Sequence, residues 1–343
     1  MVMLTERQQM LLTMVVDAHV ELGQPVGSKW LAAQPDVKWS PSTIRYDLAE
    51  LEGLGYLDHP HTSAGRVPTN AGYRLFADSL LREGPLPGDR GMFELELSTM
   101  RREVDAAMRA TTETLSQVTD LLAAVSAPPL HTATIKRVEV LLLQQQVALV
   151  LIITSTGAVT KRAFTFQEPL DPGLTDWAGS YLNERLGGMD LGALTLKSKL
   201  DSPELSSRER SFLEAIAPAF SDLAETIEQT VYVEGAARLV AGRGFDDLSG
   251  MNDLLRMLER RVSLLTLLRS ALDEPSIYLR IGGENEEPEL RAASVVAASY
   301  GLGHRTLGTV SVIGPVRMDY QRAIGSVRAA ARALSGFVEE VYE

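Results

Sequence analysis

Residues 40–69 read SPSTIRYDLAELEGLGYLDHPHTSAGRVPT. Ser40 followed by Pro41 is a helix start: a hydroxyl to cap the first free N–H groups, then a proline where no N–H is needed. The helix is predicted to run to about Leu54, with Gly55 as its stop. At about 100° per residue, Ile44, Leu48 and Leu51 share one side. Ser42, Tyr46, Ala49 and Glu50 face away, and Thr43 and Arg45 flank them. Tyr56-Leu57 and Arg66-Val67 then bracket the turn-rich segment Asp58–Gly65, which predicts a β-hairpin.

Working outward, residues 5–22 predict an amphipathic helix with Thr5 and Gln8 at capping-box spacing. Leu11, Met14, Val15, Ala18 and Leu22 fall on its apolar face, and Gly23 ends it. Ser28 can cap a short second helix through Gln34, with Trp30 and Leu31 turned inward. A fourth helix from Thr69 or Asn70 is expected to bury Tyr73, Phe76 and Leu80. Three helices and a hairpin, the third helix well capped, give the order of a winged helix-turn-helix, in which the third helix enters the major groove.

That order assigns chemistry to particular side chains. Ser42, Thr43 and Tyr46 can hydrogen-bond base edges or phosphates, and Arg45 can present a two-pronged donor to guanine. Ser28 and Ser40, at the two helix starts, join this surface. Lys29 and Lys38 flank it and can meet phosphates; isolated surface lysines more often serve solubility alone. The loop residues His61, Thr62, Ser63 and Arg66 are phosphate-reaching groups, although the loop taken alone reads as well as a polar surface hairpin. Arg74 is expected to be structural. Asp47 and Glu52 would repel DNA if they faced it, so they are expected to pair locally or point away.

Bulk composition bounds the rest. The 343 residues exceed one ordinary domain, and 45% hydrophobic with 23% charged residues is the balance of a chain that folds. The net charge is −12 and residues 1–80 hold six basic and nine acidic side chains, so charge alone does not announce a polyanion partner. Cysteine is absent, which removes disulfides, thiolate nucleophiles and Cys-ligated zinc. No run reaches the roughly 18 apolar residues of a membrane span, and Val147–Ile153 reads as a buried strand. The N-terminus lacks the pattern of a secretory signal, and a cytoplasmic location is expected.

Residues 82–90 read as a hinge, and Phe93 to about Val125 as a long helix closed by Pro128-Pro129. Strands are predicted within 138–143, 147–154, 163–166, 277–281, 294–297 and 309–313, with a helical run over 172–272 and a last helix over 320–341.

Five histidines show no paired metal spacing, and Glu284–Glu289 reads as a solvated charge run in preference to a cation site. Gly242-Arg243-Gly244-Phe245 is too short for a dinucleotide fingerprint, and Gly314-Pro315-Val316-Arg317 reads as a tight turn, with Arg317 leaving an anion site open. No nucleophile with a base, phosphate cradle or ligand cluster marks an enzyme, and no cofactor is expected.

Several runs resemble the HrcA family of heat-inducible transcription repressors. Pro25-Val26-Gly27-Ser28, Ser42-Thr43-Ile44-Arg45 with Asp47, and Leu51-Glu52 through Gly55-Tyr56-Leu57 are similar to its helix-turn-helix. Pro60 through Thr69 and Gly72-Tyr73-Arg74 are similar to its wing. Gly282-Gly283-Glu284-Asn285, Ser294-Val295-Val296, Tyr300 and Gly314 through Tyr320 are similar to its C-terminal pattern.

The resemblance implies an α+β multidomain chain. Residues 1–82 would be the winged helix-turn-helix, 83–127 a hinge and linker helix, 128–171 with 273–343 a GAF-like α/β domain, and 172–272 an inserted helical dimerisation domain. It further implies a homodimer that binds an inverted-repeat operator in double-stranded DNA, represses chaperone operons, and is kept active by the GroE chaperonin. Leu254, Leu255, Leu258, Leu264, Leu265 and Leu268 are the expected dimer contacts. The family usually has asparagine where this chain has Tyr46. Asparagine reads adenine with two hydrogen bonds and tyrosine cannot, so the operator is expected to differ. A small-molecule sensor role for the GAF-like part remains the alternative to chaperonin control.

Overall fold

The computed structural model describes residues 4–60, 65–83, 104–128, 134–155, 159–189, 205–220, 231–241, 248–259, 267–268, 270–272, 276–303 and 305–342. The N-terminal elements are α1 (Glu6–Leu22), α2 (Ser28–Ala32), α3 (Pro41–Gly53), a hairpin of β1 (Leu57–Asp58) and β2 (Val67–Pro68), and α4 (Asn70–Glu83). Local signals place them. Thr5 and Gln8 close the capping box on α1, and Gly23 ends that helix at φ 66°, with its N–H on the His19 carbonyl. Leu11, Leu12, Val15, Leu31, Ile44, Leu48, Leu51 and Leu57 make the shared core, joined by Tyr73 and Phe76 of α4.

Three details of this unit differ from expectation. Ser28 is the first residue of α2 and Gly27 is its N-cap, with no side-chain cap bond. Trp30 is 41% exposed, and Leu22 is also exposed. Leu31 alone anchors the five-residue α2, which is too short to bury two faces.

The second unit is a five-stranded sheet in the order β7 (Val231–Glu234), β3 (Leu122–Ser126), β10 (Arg305–Pro315), β9 (Ala293–Leu302), β8 (Ile277–Ile281). Every neighbouring pair is antiparallel. Both faces are covered, so its strands read as continuous apolar runs rather than alternating ones. Ala123, Val125, Leu279, Val296, Ala298, Val310 and Val312 face α5 (Val104–Thr119) and α10 (Tyr320–Tyr342). The alternate set Leu122, Ala124, Tyr278, Val295, Ala297 and Ile313 faces α8 (Ala236–Ala241) and α9 (Leu248–Glu259). The long helix expected over 93–125 therefore stops at Thr119. Asp120 takes φ 56°, a left-handed residue that ends the helix, and the apolar run after it is β3. Residues 93–103 lie outside the described residues.

The third unit is a meander of β4 (Ile135–Gln144), β5 (Val147–Thr154) and β6 (Val159–Thr165). Its inner face, Ile135, Val138, Val140, Ala148, Val150 and Ile152, packs on α6 (Pro172–Leu186) and α7 (Ser207–Ile216) as a core of its own. Asn183 of α6 fixes the helix to the sheet: its Oδ1 accepts from the Val138 N–H at 2.8 Å and its Nδ2 donates to the Val138 carbonyl at 2.6 Å.

These two cores correct the expected domain limits. The strands of 135–165 do not join those of 277–315; they belong with the helices that follow them. Conversely, α5, β3, β7 and α9 belong to the five-stranded unit. Strand partnership is a long-range property, and residues adjacent in sequence here divide between separate sheets.

Candidate nucleic-acid interface

The Ser40 hydroxyl accepts from the Thr43 N–H at 3.2 Å and shares hydrogen bonds with the Ser42 and Thr43 hydroxyls at 2.8 and 3.0 Å. This cap holds the start of α3 at the surface. Behind it Ile44, Leu48 and Leu51 are buried, which turns Ser42, Arg45, Tyr46 and Ala49 outward. Tyr46 is 64% exposed. Its hydroxyl hydrogen-bonds Glu50, one turn on, which holds it above the ordinary phenol range.

Two of the three acids of α3, Asp47 and Glu52, are ion-paired within the unit, while Glu50 stays exposed. Asp47 is 1% exposed and receives both prongs of Arg7, Nε to Oδ2 at 2.7 Å and Nη2 to Oδ1 at 3.0 Å. Arg7 also lies over the Trp39 ring, 5.8 Å from its centroid. The Glu50 carboxylate accepts from Gln8 Nε2 at 2.8 Å. Glu52 turns to the hairpin, where Arg66 Nη2 meets Oε2 at 2.7 Å and His59 Nδ1 meets Oε1 at 2.5 Å. Local pairing of Asp47 and Glu52 is thus what the structure shows.

Glycines set the wing. Val26 and Arg66 exchange two backbone hydrogen bonds of 2.8 Å, tying the hairpin to the turn before α2. A Cβ on Gly65 would lie 2.4 Å from the Val26 carbonyl, and one on Gly72 would lie 2.2 Å from the Tyr56 oxygen. Both approaches exclude any other residue without a backbone shift.

The structure brings together Ser40, Ser42, Thr43, Arg45 and Tyr46 at the exposed start of α3, with Lys29 and Lys38 exposed nearby in sequence and Ser28 half-buried. Among the described residues no ion pair engages Lys29, Lys38 or Arg45. Arg66 differs from expectation: it braces the wing through Glu52 rather than standing free for a phosphate. His61, Thr62 and Ser63 lie outside the described residues. Sequence reasoning missed Arg7, whose partner is 40 positions away, and no local pattern signals such a pair.

The expected dimer leucines need a correction. Leu254 and Leu268 are 0% and 1% exposed, packed on Leu122, Tyr278 and Ile313 of their own sheet. A side chain already covered within its chain offers no surface to a second one. Leu258 is packed against the same core, Leu255 is half-buried, and Leu264 and Leu265 lie outside the described residues.

The family model for the HrcA protein C-terminal domain matches residues 105–324. The heat-inducible transcription repressor HrcA of Thermobifida fusca is 36% identical over 331 residues, 96% of this chain and 95% of that protein. Its namesake in Halalkalibacterium halodurans is 31% identical over 99% of both chains. A crystal structure of a hypothetical protein at 2.2 Å resolution shares the fold, with a TM-score of 0.71 and 23% identity over 99% of this chain. Similarity at this level along almost the whole length shows that the chain belongs to the HrcA family of heat-inducible transcription repressors.

Proposed function

We propose that this repressor binds an inverted-repeat operator in double-stranded DNA as a homodimer, reading the major groove with α3 of a winged helix-turn-helix, and that it controls chaperone operons. The observation that carries the reading is the polar, exposed start of α3 together with the pairing of two of its three acids, Asp47 and Glu52, by cations of neighbouring elements. A helix displaying Asp47 and Glu52 to solvent would be repelled by phosphates; with both paired, Ser42, Arg45 and Tyr46 are left to approach base edges. The five-stranded unit takes the part of the GAF-like body.

Dimerisation passes to the inserted meander. The outer face of its sheet carries exposed Leu141, Leu143 and Val159 around half-buried Leu149, Leu151 and Ile153. Arg137 and Glu139, paired with each other, and Lys161 lie on the same face, and both signs of charge on one patch suit contact with its own copy across a two-fold axis. Family membership supports control by the GroE chaperonin. Footprinting on chaperone-operon promoters, with and without chaperonin, tests the whole: two protected half-sites, strengthened by chaperonin, are expected. A purified dimer that binds fully without chaperonin, after mild heating too, overturns the control, and absence of protection overturns the DNA reading.

A further inference from the structure

The N-terminal unit is seated on the five-stranded unit by two turns far apart in sequence. From α4, Arg74 sends Nη1 to the Leu279 carbonyl at 2.9 Å and to Glu284 Oε2 at 3.1 Å, while Asp78 holds its Nε at 3.1 Å. The same Glu284 oxygen accepts the Ile281 N–H at 2.9 Å, so the carboxylate that receives Arg74 is itself fixed by backbone. Gly282, at φ 55°, sits so close to α4 that a Cβ there would lie 2.4 Å from Asn70 Nδ2.

The second turn, Val316–Tyr320, meets both α4 and the end of α1. The rings of Tyr73 and Tyr320 are 5.7 Å apart, and the Tyr73 hydroxyl is 2.7 Å from His19 Nδ1. Tyr320 is itself locked, its hydroxyl donating to the Val316 carbonyl and sharing a hydrogen bond with Ser294, each at 2.8 Å. The Arg317 guanidinium lies where a side chain on Gly23 would stand, 2.5 Å from an ideal Cβ. The seat therefore grips the C-terminal end of α1 and the first turns of α4, and it uses nothing on the exposed face of α3.

A reading helix on a loose joint meets one half-site as well as a fixed one does. It meets two half-sites worse, because the second contact depends on how often both helices stand in register. We propose that the turns 282–284 and 316–320 are a positioning clamp for α3, with Arg74, Glu284 and Tyr320 as its positioning residues. The clamp sets affinity for a paired operator and leaves single half-site binding alone. The proposal rests on the DNA-binding reading above.

The test uses the full chain with Arg74→Met, Glu284→Gln and both together. Two duplexes serve as probes: one carries the inverted repeat defined by footprinting, the other the same length with one half scrambled. The double variant should bind the paired duplex at least tenfold more weakly and the single half-site within twofold of the parent. Because the chain has no cysteine, Gln9→Cys and Arg332→Cys can carry spin labels without background. In dimers diluted with unlabelled chain, the intrachain distance distribution should be narrow in the parent and broad in the double variant. Unchanged paired-site affinity with a narrow distribution overturns the clamp. So does an equal loss on both duplexes, or tighter paired-site binding, which would make the contact inhibitory. A parent that binds neither duplex refutes the DNA-binding reading instead, while the label distances still test the seat.

Discussion

Salt dependence is the sharpest consequence of how the charges are arranged. Of the basic residues around α3, Arg7 and Arg66 are held by Asp47 and Glu52, which leaves Lys29 and Lys38 for phosphates and Arg45 for a base. On the proposed homodimer, two lysines per subunit would make four phosphate contacts, so log K should fall against log salt with a slope of about −3.6, or roughly a hundredfold between about 50 and 200 mM. Were Arg7 and Arg66 also on phosphates, the slope would be about −7. Lys29→Ala should reduce the slope by about 1.8, one contact in each subunit, whatever the duplex sequence. Arg45→Ala should leave the slope nearly unchanged but cost about 1–3 kcal/mol per half-site, roughly thirtyfold to twenty-thousandfold for the dimer. Fluorescence anisotropy titrations over a salt series read both quantities. A parent slope near −7, or an Arg45→Ala slope change like that of Lys29→Ala, refutes the division between base-reading and phosphate-holding cations.

Gly72→Ala should weaken the N-terminal unit although alanine favours helix by about 1 kcal/mol, because the added carbon meets the Tyr56 carbonyl and overpacking of that kind costs about 1–3 kcal/mol. Faster hydrogen exchange in β1 and β2 would show it, and slower exchange contradicts it. Partial desolvation and the nearby Asp319 push the Asp17 carboxyl up, so its protonated form favours the folded state and that contribution is lost as pH rises through the raised value. Asp17→Asn should accordingly raise the melting temperature near pH 7 and change little near pH 3; equal shifts at both pH values exclude the charge explanation. Leu141→Glu combined with Leu143→Glu should give monomers by sedimentation, and a dimer that survives at micromolar concentration rejects the outer sheet face as the interface.

Much of the N-terminal unit was legible because its signals are local. A serine before a proline, a threonine three residues before a glutamine and a glycine past the last apolar position each act within one turn of helix. Asp47 and Glu52 could be expected to pair or point away because an acid aimed at DNA is repelled by phosphate, but their partners Arg7, Arg66 and His59 come from other elements. The leucines of α9 show the opposite case. An apolar stripe looks the same whether it covers its own sheet or a second subunit, and here Leu254 belongs to the former. β3 was read as helix because a strand buried on both faces loses the alternation that would distinguish it.

In the main sheet, β3 and β7 are immediate neighbours, with Ser126 opposite Val231. The chain leaves the sheet at one and returns at the other, about 4.8 Å away, the spacing of adjacent strands. The described elements between them, β4 to α7, therefore form a detour with a core of its own, whose two ends the host holds together. Warming can dissolve such a detour while the host's hydrogen-bond ladder stays intact, and calorimetry should resolve two separate heat-absorption peaks. If the detour also joins the subunits, the first peak is where the pair comes apart, with each reading head still folded and able to re-form the repressor on cooling.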